Sequence, residues 1–147
     1  MSHPETASPA DFAPIRELLE AASLPTSDLE SAQPEFMVIR DGGSVVGAGG
    51  LQIFGPVALL RSIVVAPDRR KHGYGVRLVE ALERQAARRE IRQLVLLTMT
   101  AASFFERAGY RAIERDSAPA ALQETDEFRS LCPSSATCMA KFLASRK

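Results

Sequence analysis

The sequence has little cysteine. Cys132 and Cys138 are the only two cysteines among 147 residues, and they are too few and wrongly spaced for a zinc site on their own. Because Cys138 falls in a predicted strand, two reduced thiols are favoured over a disulfide, as in a reducing compartment. We therefore predict a cytoplasmic protein that needs no metal.

Net charge and long apolar runs are also missing. Eighteen Lys and Arg residues balance eighteen Asp and Glu residues, so no whole-molecule field attracts nucleic acid or an anionic membrane. No apolar run approaches the length of a membrane span, and the N-terminal segment MSHPETASPADF has no core of signal-peptide length. These absences predict no nucleic-acid or membrane partner and a single domain over residues 1–147.

Apolar periodicity predicts an alternation of strands and helices. A helix is expected to begin with Ser8 as N-cap, and a short helical turn follows around Leu29. Strands are predicted over residues 36–39, 45–54, 59–65, 94–97, 110–113 and 136–143, helices from residue 75 to before residue 91 and over 101–108, and a helical turn near Leu122 in the loop 117–128. The helical crossover makes strands 59–65 and 94–97 parallel neighbours that open into a cleft.

Residues 59–83 contain the main functional pattern: an apolar strand, a basic loop and an amphipathic helix. Pro67 ends the strand because it cannot donate to a ladder. Unpaired N–H groups collect at the N-terminus of the helix that follows, and Gly73 and Gly75 let a phosphate approach them. The loop is therefore predicted to bind a pyrophosphate. A tight turn with a solvated basic face is the alternative for so short a glycine pattern.

The segment Arg70-Lys71-His72-Gly73-Tyr74-Gly75 fits the pattern R/Q-x-x-G-x-G/A and follows a strand that ends in Val64-Val65-Ala66-Pro67. It resembles motif A of the GCN5-related N-acetyltransferases, the GNAT family. The resemblance implies acetyl-coenzyme A as cofactor and an α/β (α+β) fold, a mixed, mostly antiparallel sheet of about six or seven strands with helices on both faces. The cofactor-binding residues that it implies are Ile63, Val64, Val65, Arg70, Lys71, His72, Gly73, Tyr74, Gly75, Val76, Thr98, Ser103 and Phe104.

A second segment, Phe104-Phe105-Glu106-Arg107-Ala108-Gly109-Tyr110, resembles the family signature F-Y-x-x-x-G-F/Y. Many relatives have a tyrosine at the position of Phe105 and use it to reprotonate the leaving thiolate. A phenyl ring has no proton to give, so this role does not carry over. The catalytic residues therefore stay unassigned at this stage.

Two further segments narrow the resemblance: Leu96-Leu97-Thr98-Met99-Thr100-Ala101 and Arg129-Ser130-Leu131-Cys132-Pro133-Ser134-Ser135. They resemble the N-acetyltransferases of arsenic-resistance operons and, more distantly, the acetyltransferase portion of bacterial N-acetylglutamate synthases. This implies acetyl transfer to the primary amine of a small amino-acid-like acceptor, by direct attack in a ternary complex, and is compatible with a homodimer. An acyl-coenzyme A-binding regulator without turnover, or nucleotide binding without acyl transfer, would use the same loop.

Arg61 is the main candidate for binding the acceptor. It lies in an apolar strand, where an unpaired charge is costly, so it should have a carboxylate partner. That partner belongs either to the protein core or to the acceptor. Gln52, Thr100 and Cys132 are the other predicted substrate-binding residues.

A general base is harder to assign from the sequence. The amide of Gln52 cannot act as one, and Glu35 and Glu106 are candidates that solvated surface positions would explain equally well. Cys132 and Cys138 could bind thiophilic trivalent arsenic, but free cysteines are usually small core residues, and that interpretation is favoured.

Overall fold

The computed structural model describes residues 3–143, so the ends of the predicted domain, residues 1–2 and 144–147, lie outside the described residues. Seven strands form one sheet: β1 (Glu5–Thr6), β2 (Glu35–Asp41), β3 (Ser44–Phe54), β4 (Val57–Val65), β5 (Gln93–Thr98), β6 (Arg111–Ala112) and β7 (Thr137–Phe142). Their order across the sheet is β1-β2-β3-β4-β5-β7-β6. The neighbours β4 and β5 are parallel, and the other pairs are antiparallel.

In the described part of the chain, five α-helices connect the strands: α1 (Phe12–Ala21), α2 (Leu29–Ala32), α3 (Tyr74–Arg88), α4 (Ala102–Arg107) and α5 (Ala120–Gln123). Single 3₁₀ turns cover Pro9–Asp11, Pro67–Arg69 and Arg115–Ser117, and a π-helical turn covers Glu127–Leu131. Within residues 3–143, no helix combines the length and the apolar character that crossing a bilayer requires.

Helices cover both faces of the sheet, as predicted. Successive strand residues point to opposite faces, and the core divides accordingly. The side covered by α3 and α4 contains Met37, Leu51, Leu60, Leu82, Leu94, Leu96 and Phe105. The other side carries α1, α2, α5 and the π-helical turn, over Ile15, Leu19, Leu29, Val38, Val64, Leu59, Val95, Leu122 and Phe128.

The parallel pair holds together at one end only. Val57, Ala58 and Leu59 pair with Gln93, Leu94 and Val95. Beyond these residues β4 and β5 have no ladder between them, although each continues, to Val65 and Thr98 respectively. The two strands therefore diverge, which confirms the predicted cleft.

A β-bulge bends β4 where it borders the cleft. Gly50 pairs with Arg61 and Ala48 with Val64, so two residues of β4 stand opposite Gly49 alone. One of the two, Ser62, has a φ of +59°. An inserted residue bends its strand and increases the local twist, so the bulge turns the end of β4 away from β5.

The structure departs from the predicted elements at four places. Ser8 and Asp11 form a capping box, with the Ser8 N–H donating to Asp11 Oδ2 at 2.8 Å, but it closes a 3₁₀ turn ahead of α1. The strand predicted over residues 110–113 is reduced to the two residues of β6. Strand β1 and the π-helical turn were not predicted at all.

Candidate active site

The divergence of β4 and β5 opens a cleft of about 980 Å³. One wall is the end of β4 from Leu60 to Val65, and the other runs from Leu96 in β5 to Thr100 and continues into α4. The loop before α3 closes one end, and residues of the π-helical turn and Cys132 lie along the cleft as well. A cleft of this size suits a ligand with several functional groups.

The loop between β4 and α3 presents backbone donors to this cleft. Lys71 and Gly73 both have left-handed φ angles, +73° and +76°, and they turn the chain so that α3 begins at Tyr74. The Arg77 N–H makes the first α-helical bond, to Gly73 O at 3.1 Å. The N–H groups that precede it in a helix have no intrahelical acceptor, and they carry the positive end of the helix dipole. The loop, called the anion loop below, thus has the donors and the dipole that an anion site requires.

The two arginines of this loop have different roles. Arg69 donates to Asp41 Oδ2 and Asp68 Oδ2, both at 2.8 Å, and so ties the loop to the β2–β3 hairpin. Arg70 is exposed at the edge of the cleft, and its Nε donates to Val65 O at 3.2 Å. Its guanidinium is therefore held beside the anion site and can still reach a ligand.

The opposite wall supplies hydroxyl groups and an aromatic ring. Thr98 Oγ1 accepts a hydrogen bond from the Ala101 N–H at 3.0 Å and fixes the entry into α4. A Cβ at Gly75 would lie at an ordinary van der Waals distance, 3.4 Å, from the Phe104 ring, so the start of α3 lies beside α4. A small side chain would therefore fit at Gly75 without displacing Phe104.

A buried cluster of charged side chains lies on the face away from α3. Arg61 donates to both oxygens of Asp28 at 2.6 Å and to Gln52 Oε1 at 3.1 Å. Its Nη2 is also 3.2 Å from Glu127 Oε2. The side chains of Arg61, Asp28 and Glu127 are 0%, 3% and 6% exposed. The sequence left open whether Arg61 pairs with a carboxylate of the protein core or of the acceptor. In the structure it pairs with the core carboxylates of Asp28 and Glu127.

Burial changes the acid–base properties of this cluster. It raises the pKa of Glu127, an effect that Asp28 reinforces and Arg61 opposes. Burial together with the nearby Glu127 carboxylate raises the pKa of the Cys132 thiol to about 12. Cys132 Sγ lies 3.8 Å from Glu127 Oε1. Cys132 is therefore a protonated donor to Glu127.

The Acetyltransferase (GNAT) family profile matches residues 4–110, most of the chain. This chain belongs to the GNAT family. Enzymes of this family are N-acetyltransferases that use acetyl-coenzyme A as acyl donor. The diverging strands and the anion loop before α3 therefore coincide with the segments whose sequence resembles the GNAT motifs.

Solved structures share this fold at low sequence identity. N-acetylglutamate synthase from Neisseria gonorrhoeae, complexed with coenzyme A and N-acetyl-glutamate, superposes with a TM-score of 0.83 at 20% identity over 98% of this chain, which spans 35% of that one. Rv2747 from Mycobacterium tuberculosis, in complex with CoA and NLQ, gives 0.82 at 24% identity over 96% and 99% of the two chains.

The ribosomal-protein-S18-alanine N-acetyltransferase from Escherichia coli gives a TM-score of 0.76 at 17% identity over 100% of this chain and 97% of that one. Comparison with curated proteins gives no significant match.

The GNAT signature in α4 lacks its usual proton donor here. Phe105 is buried and packs edge-on against Phe104 and Tyr110, at centroid distances of 5.0 and 5.5 Å. The Tyr110 hydroxyl donates to Glu83 Oε2 at 2.8 Å, and burial raises the pKa of this tyrosine strongly. Neither Phe105 nor Tyr110 supplies a proton to the cleft.

The structure gathers nearly all of the predicted cofactor residues. Those that line the cleft are Ile63, Val64, Val65, Arg70, Lys71, Gly73, Tyr74, Gly75, Val76, Thr98, Ser103 and Phe104. His72 is exposed and does not line it; its ring lies 5.9 Å from that of Tyr74. The positions of the cleft-lining residues are consistent with their predicted roles, whereas the position of His72 gives its predicted role no support.

The predicted acceptor residues are only partly together. Thr100, Cys132 and Arg61 line the cleft, but Gln52 does not. Gln52 instead accepts a hydrogen bond from Arg61 and borders a small surface groove with Ser31 and Glu124. Its side chain is engaged by Arg61 outside the cleft lining, and its contact with substrate stays a prediction.

The candidate bases chosen from the sequence lie outside the cleft. Glu35 forms a surface ion pair with Arg89 at 2.6 Å, and Glu106 is exposed on α4. The acidic residue that does line the cleft, Glu127, was missed. The sequence signal was indirect: a buried Arg61 requires carboxylates, but nothing in the chain says which ones.

Arg115 holds the π-helical turn that carries Glu127. Its guanidinium donates to the carbonyl oxygens of Phe128, Cys132 and Pro133 at 3.0, 3.2 and 2.8 Å. Within the turn, the Cys132 N–H donates to Glu127 O at 3.0 Å. These bonds fix the backbone on both sides of the cleft-lining side chains.

Proposed function

We propose that this GNAT enzyme transfers the acetyl group of acetyl-coenzyme A to the primary amine of a small amino-acid-like acceptor, by direct attack in a ternary complex. One observation carries the proposal. A single cleft is lined both by the anion loop and by Arg61 and Glu127, which belong to a buried cluster of two carboxylates and one guanidinium. The loop suits the pyrophosphate of the donor, and the cluster suits a cationic amine.

Direct attack is favoured over an acyl-enzyme because the cleft has a poor covalent nucleophile. Cys132 lines the cleft, but its thiol pKa is raised to about 12. At pH 7 only about one molecule in 10⁵ would carry the thiolate, which is the nucleophilic form. The acceptor amine is then the better nucleophile toward the thioester.

An amino-acid-like acceptor is supported by the structural neighbours. The gonococcal synthase was solved in complex with N-acetyl-glutamate, an acetylated amino acid, beside coenzyme A. That synthase and Rv2747 share the fold of this chain at 20% and 24% identity. Arg61 is not assigned to the acceptor's carboxylate here, because such a ligand would have to displace Asp28 or Glu127 from it.

The subfamily, the location and the assembly are part of the proposal. We take the two segments around Thr98 and Cys132 to indicate an enzyme of the arsenic-resistance type, active in the cytoplasm, as one domain and as a monomer or homodimer. Light scattering on the purified protein distinguishes the last two.

A screen of the twenty standard amino acids for release of free thiol from acetyl-coenzyme A tests the function. We expect at least one to accelerate release, and initial rates at several concentrations of both substrates to give intersecting lines. If coenzyme A binds but no amine accelerates release, the protein is the regulator without turnover. If ATP displaces coenzyme A with equal affinity, the loop is a nucleotide site.

A further inference from the structure

Glu127 is the one carboxylate among the described residues that line the cleft, and it is also buried. Its side chain is 6% exposed, so it has little contact with bulk water. It nevertheless lines the cleft, together with the diverging ends of β4 and β5. A carboxylate so placed meets whatever ligand occupies the cleft.

The cluster around Glu127 contains two carboxyl groups and one guanidinium. Arg61 gives both of its Nη groups to Asp28 at 2.6 Å, and only the longer 3.2 Å contact of Nη2 reaches Glu127. With both carboxylates ionised, one guanidinium faces two negative charges. Burying an unbalanced charge is costly, so the cluster favours a second cation or a proton.

One oxygen of Glu127 remains without a strong donor. Oε2 faces Arg61, whereas Oε1 has the Cys132 thiol at 3.8 Å as its hydrogen-bond donor among the described residues. A thiol is a weak donor. An alkylammonium group would supply both the missing charge and a strong N–H donor.

We propose that Glu127 Oε1 receives the ammonium group of the acceptor and takes the proton that the amine must lose before it attacks the thioester. The inference rests on the proposed function, since it assumes an amine acceptor. It assigns the general base that the sequence left open. The raised pKa of Glu127 is consistent with this role, because a base works best when its pKa approaches the working pH.

The charged and titratable groups that face Glu127 do not compete for this role. Arg61 comes from β4, Asp28 from the residue before α2, and Cys132 from the end of the π-helical turn. Arg61 stays cationic, Asp28 is engaged by both of its bonds, and Cys132 stays protonated with a pKa of about 12. Glu127 is the group whose proton can change.

The step balances as follows. The acceptor ammonium passes one proton to Glu127 and becomes a neutral amine. The amine nitrogen forms a bond to the thioester carbonyl carbon, and the bond from that carbon to sulfur breaks with its electron pair on sulfur. The nitrogen's surplus proton passes to this thiolate through water. Glu127 returns its own proton to solvent once the amide product has left.

Glu127→Gln tests the proposal. The amide oxygen can still accept from Arg61, and the remaining Arg61–Asp28 pair is neutral, so the variant should fold. With the best amino acid of the screen, we expect kcat/KM to fall about a hundredfold or more near pH 7. The Kd for coenzyme A, measured by calorimetry, should stay within about twofold of the parent.

The pH profile separates a base from a merely structural residue. The parent should lose kcat at acid pH as Glu127 is protonated, and Glu127→Gln should lack this acidic limb. The gap between the two should narrow at high pH, where the amine is already neutral in solution. Glu124→Gln is the matched control, because Glu124 is 79% exposed in the same segment, and it should behave as the parent.

Two results would overturn the inference while the proposed function stands: a folded Glu127→Gln variant with parental kcat/KM, or one that keeps the acidic limb. If Glu127→Gln does not fold, Glu127→Asp carries the test. The Glu127→Asp variant should keep the acidic limb of the pH profile at a reduced kcat. A Glu127→Asp variant that lacks the acidic limb would contradict the proposal. A parent without turnover on any amine would instead defeat the proposed function.

Discussion

Arg70 is the cation best placed to bind the donor's pyrophosphate. It is exposed at the edge of the cleft, whereas Arg69 is engaged by Asp41 and Asp68. A hydrogen bond to a charged group typically contributes about 1.5–3 kcal/mol. Arg70→Ala should therefore weaken coenzyme A binding about tenfold to a hundredfold, as measured by calorimetry.

The control for this measurement is Arg111→Ala, which removes an exposed arginine from β6, outside the cleft lining. It should leave the affinity unchanged. Equal affinities of the Arg70→Ala variant and the parent would show that the backbone N–H groups of the loop bind the pyrophosphate without this side chain.

Asp11 links the N-terminal turn to β2 in a way that depends on pH. Two bonds from Arg40, at 2.6 and 2.8 Å, and one from the Ser8 N–H lower the pKa of Asp11 from 3.8 to about 2, against the opposing effect of burial. The folded state therefore binds fewer protons than the unfolded state. The resulting stabilisation is complete above about pH 4 and is lost as the pH falls toward 2.

We expect Asp11→Asn to lower the free energy of unfolding at pH 7 by about 1–2 kcal/mol, since its amide can still accept from Ser8 but has no charge for Arg40. Urea titrations of parent and variant should show this difference shrinking at pH 3. Glu30→Gln serves as control: its pair with Arg16 is exposed and should contribute under about 1 kcal/mol. A pH-independent difference for Asp11→Asn would contradict the assignment.

At the scale of elements, Gly49 determines how closely α3 approaches the sheet. A Cβ built there would lie 2.5 Å from Ile63 Cδ1 and 2.7 Å from Leu82 Cδ1, so both side chains would have to move. Overpacking a core typically costs about 1–3 kcal/mol, and we expect Gly49→Ala to destabilise the protein by that amount in urea titrations.

Gly49→Ala should also affect the donor site, because Ile63 belongs to the bulge opposite Gly49 and lines the cleft. We expect weaker coenzyme A binding in the folded variant. Ser44→Ala, at the exposed start of the same strand, should change the stability by less than about 0.5 kcal/mol. An unchanged stability of Gly49→Ala would mean that α3 shifts without cost.

The elements that sequence reasoning missed are those with little local pattern. Strand β1 has two exposed residues and exists because it pairs with Met37 and Val38 of β2. The π-helical turn is fixed by Arg115, which lies outside it in the chain. By contrast, the hairpin and the strand–helix–strand unit were predictable, because glycine turns and apolar periodicity encode them locally.

At the scale of the whole molecule, the anion loop is encoded locally in the sequence, whereas the charged cluster of the cleft depends on residues that are far apart in the chain. The anion loop could be predicted because its residues are contiguous. The charged cluster joins Arg61 to Asp28, 33 residues away, and to Glu127 from the far end of the chain. Only the need of Arg61 for a carboxylate was visible in the sequence, since tertiary folding alone decides which carboxylates meet it.

Coenzyme A should stabilise the whole fold, because its predicted site exists only when β4, α3, β5 and α4 are assembled. A ligand that binds only the native state adds about 2.7 kcal/mol at a concentration of 100 times its Kd. For a chain of 147 residues, about 1 kcal/mol raises Tm by roughly 2–4 °C. We therefore expect a rise of about 5–11 °C in thermal melts.

Comparing the rise in Tm with coenzyme A and with ATP, at one common concentration, shows which part of the cleft contributes to ligand binding. Both ligands offer phosphates to the anion loop, but only coenzyme A has a pantetheine arm to lie between the diverging strands, along Thr98 and Phe104. We expect the larger rise in Tm with coenzyme A, and we expect Arg70→Ala to reduce the rise with both ligands. Equal rises with the two ligands would mean that the strands contribute nothing to binding, which would favour a nucleotide site over the acyl-transfer cleft proposed here.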